Sequence, residues 1–378
     1  MTNVKADRVV VIGAGILGAS IACELSQRGA QVTILDRGKP GSGATHASFA
    51  WINAREKNPR AYHELNRRSM DMWPRFADHL DTANAVPVWG GELRWASERK
   101  RTAKLQTRVN RLQSWGYDIR ELSADQIAEM EPGIRTENCT LGSWSAADGH
   151  VDAIAVTKAC LALVEKQGGT LRYGTEVTGF RKHRGNVSAV VAGEDELECE
   201  TVVLACGPDA PEIGKLAGIH VHTYWNNEAT LVTTPVGSVF RKTSVILTPY
   251  EDGPAVFVRQ LRDGRVMTNL ARGDAPNQSP GPTEEQLVHS LNKAIQYLPA
   301  LEGATVDEIR RARKPIPKGG HPILGFVNTV PNLYLVSTHS GVTLAPLIGE
   351  MAAIEILNKV DVHLLKPFRP GRFDATPR

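Results

Sequence analysis

Cysteine is scarce in this sequence and never paired. Five are scattered at Cys23, Cys139, Cys160, Cys199 and Cys206. The odd number and the lack of any CxxC argue against a disulfide framework and against a zinc site, and suit a reducing compartment. A charge surplus is lacking too. Lys plus Arg number 44 against 41 for Asp plus Glu, a formal net charge of +3. Nothing there calls for nucleic acid or an anionic membrane. No apolar run reaches the ~18 residues of a membrane span. The opening MTNVKADR leads into a strand without an apolar signal core. A soluble, cytoplasmic protein is therefore expected. At 378 residues the chain is long enough for two domains. Its one basic run, Glu98 to Gln113, puts Leu105, Val109 and Leu112 on one face, which predicts a solvated amphipathic helix.

What is present begins at Val9. Val9 to Ile12 form a short apolar run of the kind a buried parallel strand shows. GAGILG follows, with Gly13, Gly15 and Gly18 in GxGxxG spacing around Ala14, Ile16 and Leu17. Gly13 permits a tight turn, Gly15 lets the backbone approach a diphosphate, and Gly18 lets helix and strand pack closely. Ile16, Leu17, Ile21 and Leu25 carry a helix that ends at Arg28-Gly29. Its N-terminus offers N–H groups to phosphate. Gln31 to Leu35 then form a second strand, and Asp36 follows, placed to accept ribose hydroxyls and to repel a 2′-phosphate. Strand, glycines, helix, strand and acid in this order predict a dinucleotide grip, without choosing between FAD and NAD.

Later segments bear on that choice. The Gly/Ser/Thr-rich stretch RGKPGSGATHASFAWINA suits continued backbone contact with phosphate. Asp152 is placed to cap a helix bearing Ile154, Leu161 and Val164, and Gly168-Gly169 stop it. Strands are expected at Leu171–Tyr173, Val177–Phe180, Val187–Val191 and Val202–Ala205, the last running into Cys206-Gly207-Pro208. Asp263-Gly264 signals a hairpin between Val256–Leu261 and Arg265–Leu270. ARGDAPNQSPGP reads as a loop, and Thr283 to Gln286 as a capping box for a helix with Leu287, Leu291, Ile295 and Leu298. Near the end, a strand at Leu333–Ser337, a turn at His339-Ser340-Gly341 and a helix at Leu344–Leu357 repeat the opening logic. A second helix N-terminus suits a flavin, which has both a diphosphate and pyrimidine carbonyls to hold.

Taken together, VVVIGAGILG, GATHASFAWINA, DGHVD, VVLACGP, RKPIPKGGHPILG and STHSGVTLAPLIGE resemble the D-amino-acid oxidase family of FAD-dependent oxidoreductases. The resemblance runs nearly the length of the chain. It implies an α/β (α+β overall) fold, with a Rossmann-like FAD-binding domain from 1–80, 142–220 and 310–378. A mixed-sheet substrate domain from 81–141 and 221–309 would be interleaved with it. It also implies FAD, held non-covalently, in contact with the opening grip, Asp36, Arg37, Ala44, Thr45, His46, Ser48 and Asn53. Further contacts would come from Val177, whose position faces adenine through its backbone, Cys206 (by packing), Gly207, Gly341, Val342 and Thr343.

Three residues are candidates for the chemistry. Relatives commonly carry an arginine before the proline of RKPIPKGGHPILG to hold a substrate carboxylate. Lys314 stands there, a point charge without the bidentate fork. The acid those relatives carry a few residues on is replaced by Gly319. His339 would sit beside the isoalloxazine, and His46 lies near the position of a flavin-linked histidine in some relatives. The implied reaction oxidises the C–N bond of an amino acid or N-substituted amino acid by hydride transfer, giving an imine that hydrolyses. Partners would be a small carboxylate-bearing amine and an electron acceptor: oxygen, a quinone or a protein. No metal is expected. Alternatives are oxidation of a 2-hydroxy acid or alcohol, with His339, His321 or His46 as base, a flavoprotein subunit acting in electron transfer, and an NAD-dependent dehydrogenase.

Overall fold

The computed structural model describes residues 6–250, 253–271 and 280–374. The start of the chain (1–5) and most of the loop expected at 271–282 lie outside the described residues.

Val9 to Ile12 carry apolar side chains at every position, so their strand is stable only when covered on both faces. It lies inside a six-stranded sheet. Arg8–Ile12 pairs in parallel with Gln31–Asp36 on one side and with Thr201–Leu204 on the other. Thr170–Tyr173 extends the sheet beyond Gln31–Asp36; Val330–Ser337 and the antiparallel Ile323–Val327 extend it beyond Thr201–Leu204. Alternation then sorts the side chains. Val9 and Val11 enter a core with the helices Ile16–Gln27, Arg60–Leu80, Ala153–Lys166 and Gly341–Asn358. Val10 and Ile12 enter a core on the opposite face, against the three-stranded sheet Val177–His183, Asn186–Ala192, Asp195–Glu198. This is the Rossmann-like half of the expected α/β fold.

The second half is a mixed sheet of eight strands. Its order is Val306–Pro317, Thr223–Thr233, Val266–Leu270, Val256–Gln260, Val245–Leu247, Glu92–Ala96, Leu141–Ser145, Ile119–Leu122. The Asp263-Gly264 hairpin joins Val256–Gln260 to Val266–Leu270 as its residues predict. Helix Glu284–Tyr297 starts at the Thr283/Gln286 capping box. Helix Arg99–Ser114 buries Leu105, Val109 and Leu112 and exposes Arg99, Lys100 and Lys104, whereas Arg108 departs from the expected solvated face and pairs with Glu56. Between the large sheets, Gly149–His150 pairs with Trp51–Ile52 and with Val88–Trp89.

Two expectations need correction. The C-terminal helix begins at Gly341, three residues before the apolar run suggests, because glycine directly after the turn can take up the first helical position. That helix is also long and apolar enough by composition to cross a membrane, contrary to the reading of the hydrophobic runs. It is 67% buried inside the protein, against helices Ile16–Gln27 and Arg60–Leu80, so its apolarity serves the core.

A single contact sets the first helix. A Cβ on Gly18 would lie 1.9 Å from the Gly13 carbonyl oxygen and 3.4 Å from Val11 Cγ1. Gly18→Ala must therefore push helix and strand apart. Overpacking of this kind costs roughly 1–3 kcal/mol, and a backbone obstacle cannot swing aside. The expected outcome is a lower urea midpoint with an unchanged slope; an unaltered midpoint would refute the contact.

His150 yields a pH prediction. It is 4% exposed and its Nδ1 lies 2.8 Å from Ser244 Oγ. Burial first, and the nearby Arg259 cation second, hold its pKa well below the ordinary histidine value. The folded imidazole is thus neutral, while the unfolded one protonates near 6.5. Below about pH 6.5 the unfolded state binds the extra proton, so stability falls as pH falls. His150→Gln should flatten that fall by up to about 1.4 kcal/mol per pH unit. Urea midpoints at several pH values between 5 and 7, wild type against variant, give the slope; parallel slopes would refute the assignment.

Candidate active site

The two large sheets face each other across a cavity of about 1070 Å³. One end is built by the opening motif. Gly13 has φ +109° and donates its N–H to Leu35 O at 2.8 Å; a Cβ there would meet Ala205 O at 2.5 Å. Gly15, extended at φ −76° and ψ 176°, precedes the helix without a side-chain cap. Thr45 Oγ1 accepts the Ile16 N–H at 3.1 Å, tying the Gly/Ser/Thr loop onto that helix end. A Cβ on Gly15 would stand 3.3 Å from the same oxygen. The glycine leaves the slot between loop and helix open to a ligand's phosphates.

Asp36 lines the cavity with work already assigned. Its Oδ2 accepts the Ala14 N–H at 2.7 Å and its Oδ1 the Gly38 N–H at 2.8 Å. Each oxygen keeps a lone pair for a hydroxyl donor. Beside it, Arg37 Nη2 reaches Asp209 Oδ2 at 2.7 Å, and Arg313 takes the other oxygen of the same carboxylate. Arg313 also lies over the Trp225 ring, 5.2 Å from its centre. This Arg37–Asp209–Arg313 clasp joins the end of the second strand to the edge strand of the opposite sheet. Asp209 is a site residue that the sequence reading missed, since its partners lie far away along the chain.

The second helix N-terminus reaches the same cavity through Gly341, Val342 and Thr343. Thr343 fastens it. Its Oγ1 donates to Trp51 O at 3.1 Å and accepts from Asn53 N at 3.2 Å, while its carbonyl accepts from Ser69 Oγ and Trp73 Nε1. Tyr62 O–H donates to Ser340 Oγ at 2.7 Å and its ring packs edge-on to His339. His339 lines the cavity.

The opposite wall is aromatic. The Trp51 and Phe257 rings are 5.3 Å apart and those of Phe49 and Phe257 5.8 Å. Trp51 is oriented by Asp148, whose Oδ2 accepts its indole N–H at 3.0 Å. Asp148 is fully buried and also accepts from Ser145 Oγ and Tyr117 O–H. Burial pushes its carboxyl up against the pull of Arg55. Lys314 lines the cavity from the long edge strand, in register with Asn226. Glu56, Lys57, Arg94, Arg108 and Tyr250 line it as well, unforeseen because no motif marks them.

Of the residues singled out from sequence, Gly13, Gly15, Ile16, Leu17, Asp36, Arg37, Ala44, Thr45, Ser48, Asn53, Val177, Cys206, Gly207, Lys314, His339, Gly341, Val342 and Thr343 line this one cavity. Ala14 and Gly18 support it from behind, buried in the turn and the helix contact. His46 stands apart from the lining. Its Nε2 lies 3.1 Å from Glu308 Oε1, and its neighbours Ala44, Thr45 and Ala47 line the cavity in its place. Burial first and Asp209 second push the Cys206 thiol up to about 12, so it is protonated near neutrality.

Residues 8–354 match the family described as DAO, FAD dependent oxidoreductase. A glycine oxidase from Geobacillus kaustophilus (strain HTA426) is 24% identical over 373 residues, covering 95% of this chain and 95% of that protein. One of the subunits of an opine oxidase from Agrobacterium tumefaciens (strain Ach5) is 26% identical over 381 residues, covering 97% of this chain and 98% of that protein. The crystal structure of an L-proline dehydrogenase from P. horikoshii shares the fold, with a TM-score of 0.86, 21% identity and 98% coverage of both chains.

Proposed function

The chain belongs to the DAO family of FAD-dependent oxidoreductases, and from that premise we propose that it oxidises the C–N bond of an amino acid or N-substituted amino acid. The observation that carries this reading is one cavity bounded by two helix N-termini, an aromatic wall and the Lys314 cation. When bound, FAD would supply the two-electron acceptor for a hydride from the carbon that bears the amine. The substrate leaves as an imine, which water hydrolyses to a carbonyl compound and a free amine. Oxygen, a quinone or a protein acceptor reoxidises the cofactor.

The residues fit FAD. Gly15 and the helix N-terminus at Ile16 and Leu17 hold the diphosphate, with Gly13, Ala14 and Gly18 shaping the turn. Asp36 accepts the ribose hydroxyls, and the Val177 backbone meets the adenine. Arg37, Ala44, Thr45, Ser48, Asn53, Cys206 and Gly207 complete the lining. Gly341, Val342 and Thr343, at a helix N-terminus lining the cavity, would offer N–H groups and a positive dipole end to the flavin's pyrimidine carbonyls. The segments 1–80, 142–220 and 310–378 form the FAD unit, and 81–141 with 221–309 the substrate unit. In support, every strand of the six-stranded sheet comes from the first set. The boundary at 309/310 falls inside strand Val306–Pro317, whose residues Arg311 to Pro315 line the cavity. We place the protein in the cytoplasm.

Lys314 holds the substrate carboxylate and His339 shapes the pocket beside the isoalloxazine. A charge-assisted contact is worth roughly 1.5–3 kcal/mol, or about ten- to a hundred-fold in affinity. Lys314→Met should cut kcat/KM for a carboxylate-bearing amine by that factor and leave the flavin spectrum intact. Normal turnover by this variant would reject the role. An anaerobic screen in which only hydroxy acids bleach the flavin would move the reaction to C–O oxidation.

The flavin is held without a covalent bond. The His46 imidazole is engaged with Glu308, and the Cys206 thiol is protonated. Acid precipitation should release all flavin into the supernatant. A coloured pellet in the wild type that becomes colourless in His46→Ala would reverse this conclusion.

A further inference from the structure

The cavity carries more fixed positive charge than one substrate carboxylate requires, and that charge lies on the substrate side of the fold. Arg94, on strand Glu92–Ala96, is 5% exposed. Its Nε pairs with Glu92 Oε1 at 2.7 Å and its Nη1 with Glu56 Oε1 at 3.4 Å. Arg108, on helix Arg99–Ser114, reaches the same Glu56 oxygen through Nε at 2.8 Å. Glu92 is fully buried and shared with the fully buried Arg55. The result is an alternating chain, Arg55–Glu92–Arg94–Glu56–Arg108, ending at the cavity.

The last members of that chain are under-used. Arg94 Nη2 and both Nη groups of Arg108 have no hydrogen-bond partner among the described residues, although both side chains line the cavity. These N–H groups open to the cavity, with the Arg108 side chain 26% exposed, so they are free to meet a ligand there. Burial, followed by repulsion from Arg94, pushes Arg108 down to about 10. An anion between the two would relieve both effects. Planar guanidinium groups with paired N–H donors match the geometry of a carboxylate.

Arg94 and Lys314 stand on different strands of the eight-stranded sheet. The sheet order puts five strand spacings between Glu92–Ala96 and Val306–Pro317, roughly 24 Å at ~4.8 Å per spacing. We propose that Arg94 and Arg108, oriented by Glu56 and Glu92, form a second carboxylate subsite at the far end of the substrate cavity. The substrate is then an amine carrying two carboxylates, one at Lys314 and one at this pair. The inference deepens the amine-oxidising reading, and its test does not depend on turnover.

The test is binding of unreactive straight-chain diacids to the FAD-loaded enzyme. Glutarate, adipate and suberate are titrated against their monoamides, which keep one carboxylate and the chain length, by calorimetry and by perturbation of the flavin absorbance. At one length or more the diacid should bind roughly ten- to a hundred-fold tighter than its monoamide. Arg108→Gln should erase that preference while the flavin spectrum stays intact. Lys314→Met should erase it as well, because a monoamide can place its one carboxylate at whichever cation remains, so diacid and monoamide then make the same single charged contact. Arg94→Lys is the second variant, retaining charge without the fork, and should reduce the preference. Equal binding of diacid and monoamide at every length overturns the subsite, as does failure of every diacid to bind at millimolar concentration. So does a preference that survives either Arg108→Gln or Lys314→Met. A bleaching screen answered only by hydroxy acids would reject C–N oxidation and leave the diacid preference standing. A screen answered by amines without a diacid preference would do the reverse.

Discussion

The approach of the first helix to the first strand is the constraint from which the site follows. Gly18 allows the helix to rest on the Gly13 carbonyl with no side chain between them. That contact fixes where the helix N-terminus points. It also places Ala14 N–H where Asp36 can hold it and brings Thr45 to the Ile16 N–H. The C-terminal helix inherits this position. Gly349 packs on the backbone of Ser20 and Gly341 lies against Leu17, both on the first helix. One close contact thus sets the direction of two helix dipoles into the same cavity. Neither N-terminus need be paid for with a buried cation, because backbone N–H groups supply the positive field.

The cavity lining around strand Glu92–Ala96 is organised differently, through buried charge. Asp148 holds the Trp51 indole, while Arg55 and Glu92 form a fully buried pair beneath the cavity floor. Buried ion pairs add little net stability because desolvation offsets the attraction. Their contribution here is orientation: Glu92 directs Arg94, and Glu56 directs Arg108. Apolar replacements of equal volume would pack as well and leave the cavity without fixed donors. The packed rings of Phe49, Trp51 and Phe257 and the ion-paired Arg94 and Arg108 are each held by their neighbours.

Much of this was legible in the sequence. The dinucleotide motif, the Asp152 cap, the Thr283/Gln286 capping box, the Asp263-Gly264 hairpin and the amphipathic face of Leu105, Val109 and Leu112 are local signals. Each is set by neighbours within a few residues, and each appears where its chemistry predicts. The strand–turn–helix at the C-terminus was readable for the same reason, displaced only by the ease with which Gly341 enters the helix. The family resemblance spanned the chain because such local motifs recur in a fixed order.

Tertiary structure alone decided which of those residues share a cavity and what else joins them. Asp209 meets Arg37 and Arg313 across 172 and 104 residues of chain. Glu56 meets Arg94 across 38. No periodicity or spacing encodes such pairs, since each partner is brought in by a different element. Likewise His46 sits in a legible loop, yet which way its imidazole turns was settled by Glu308 on a distant strand. The sequence determined the grip, because a glycine turn, a helix and an acid act through adjacent backbone. The fold determined the charged lining of the cavity, because Glu56, Arg94 and Arg108 gain their partners only from neighbours that the tertiary structure places beside them.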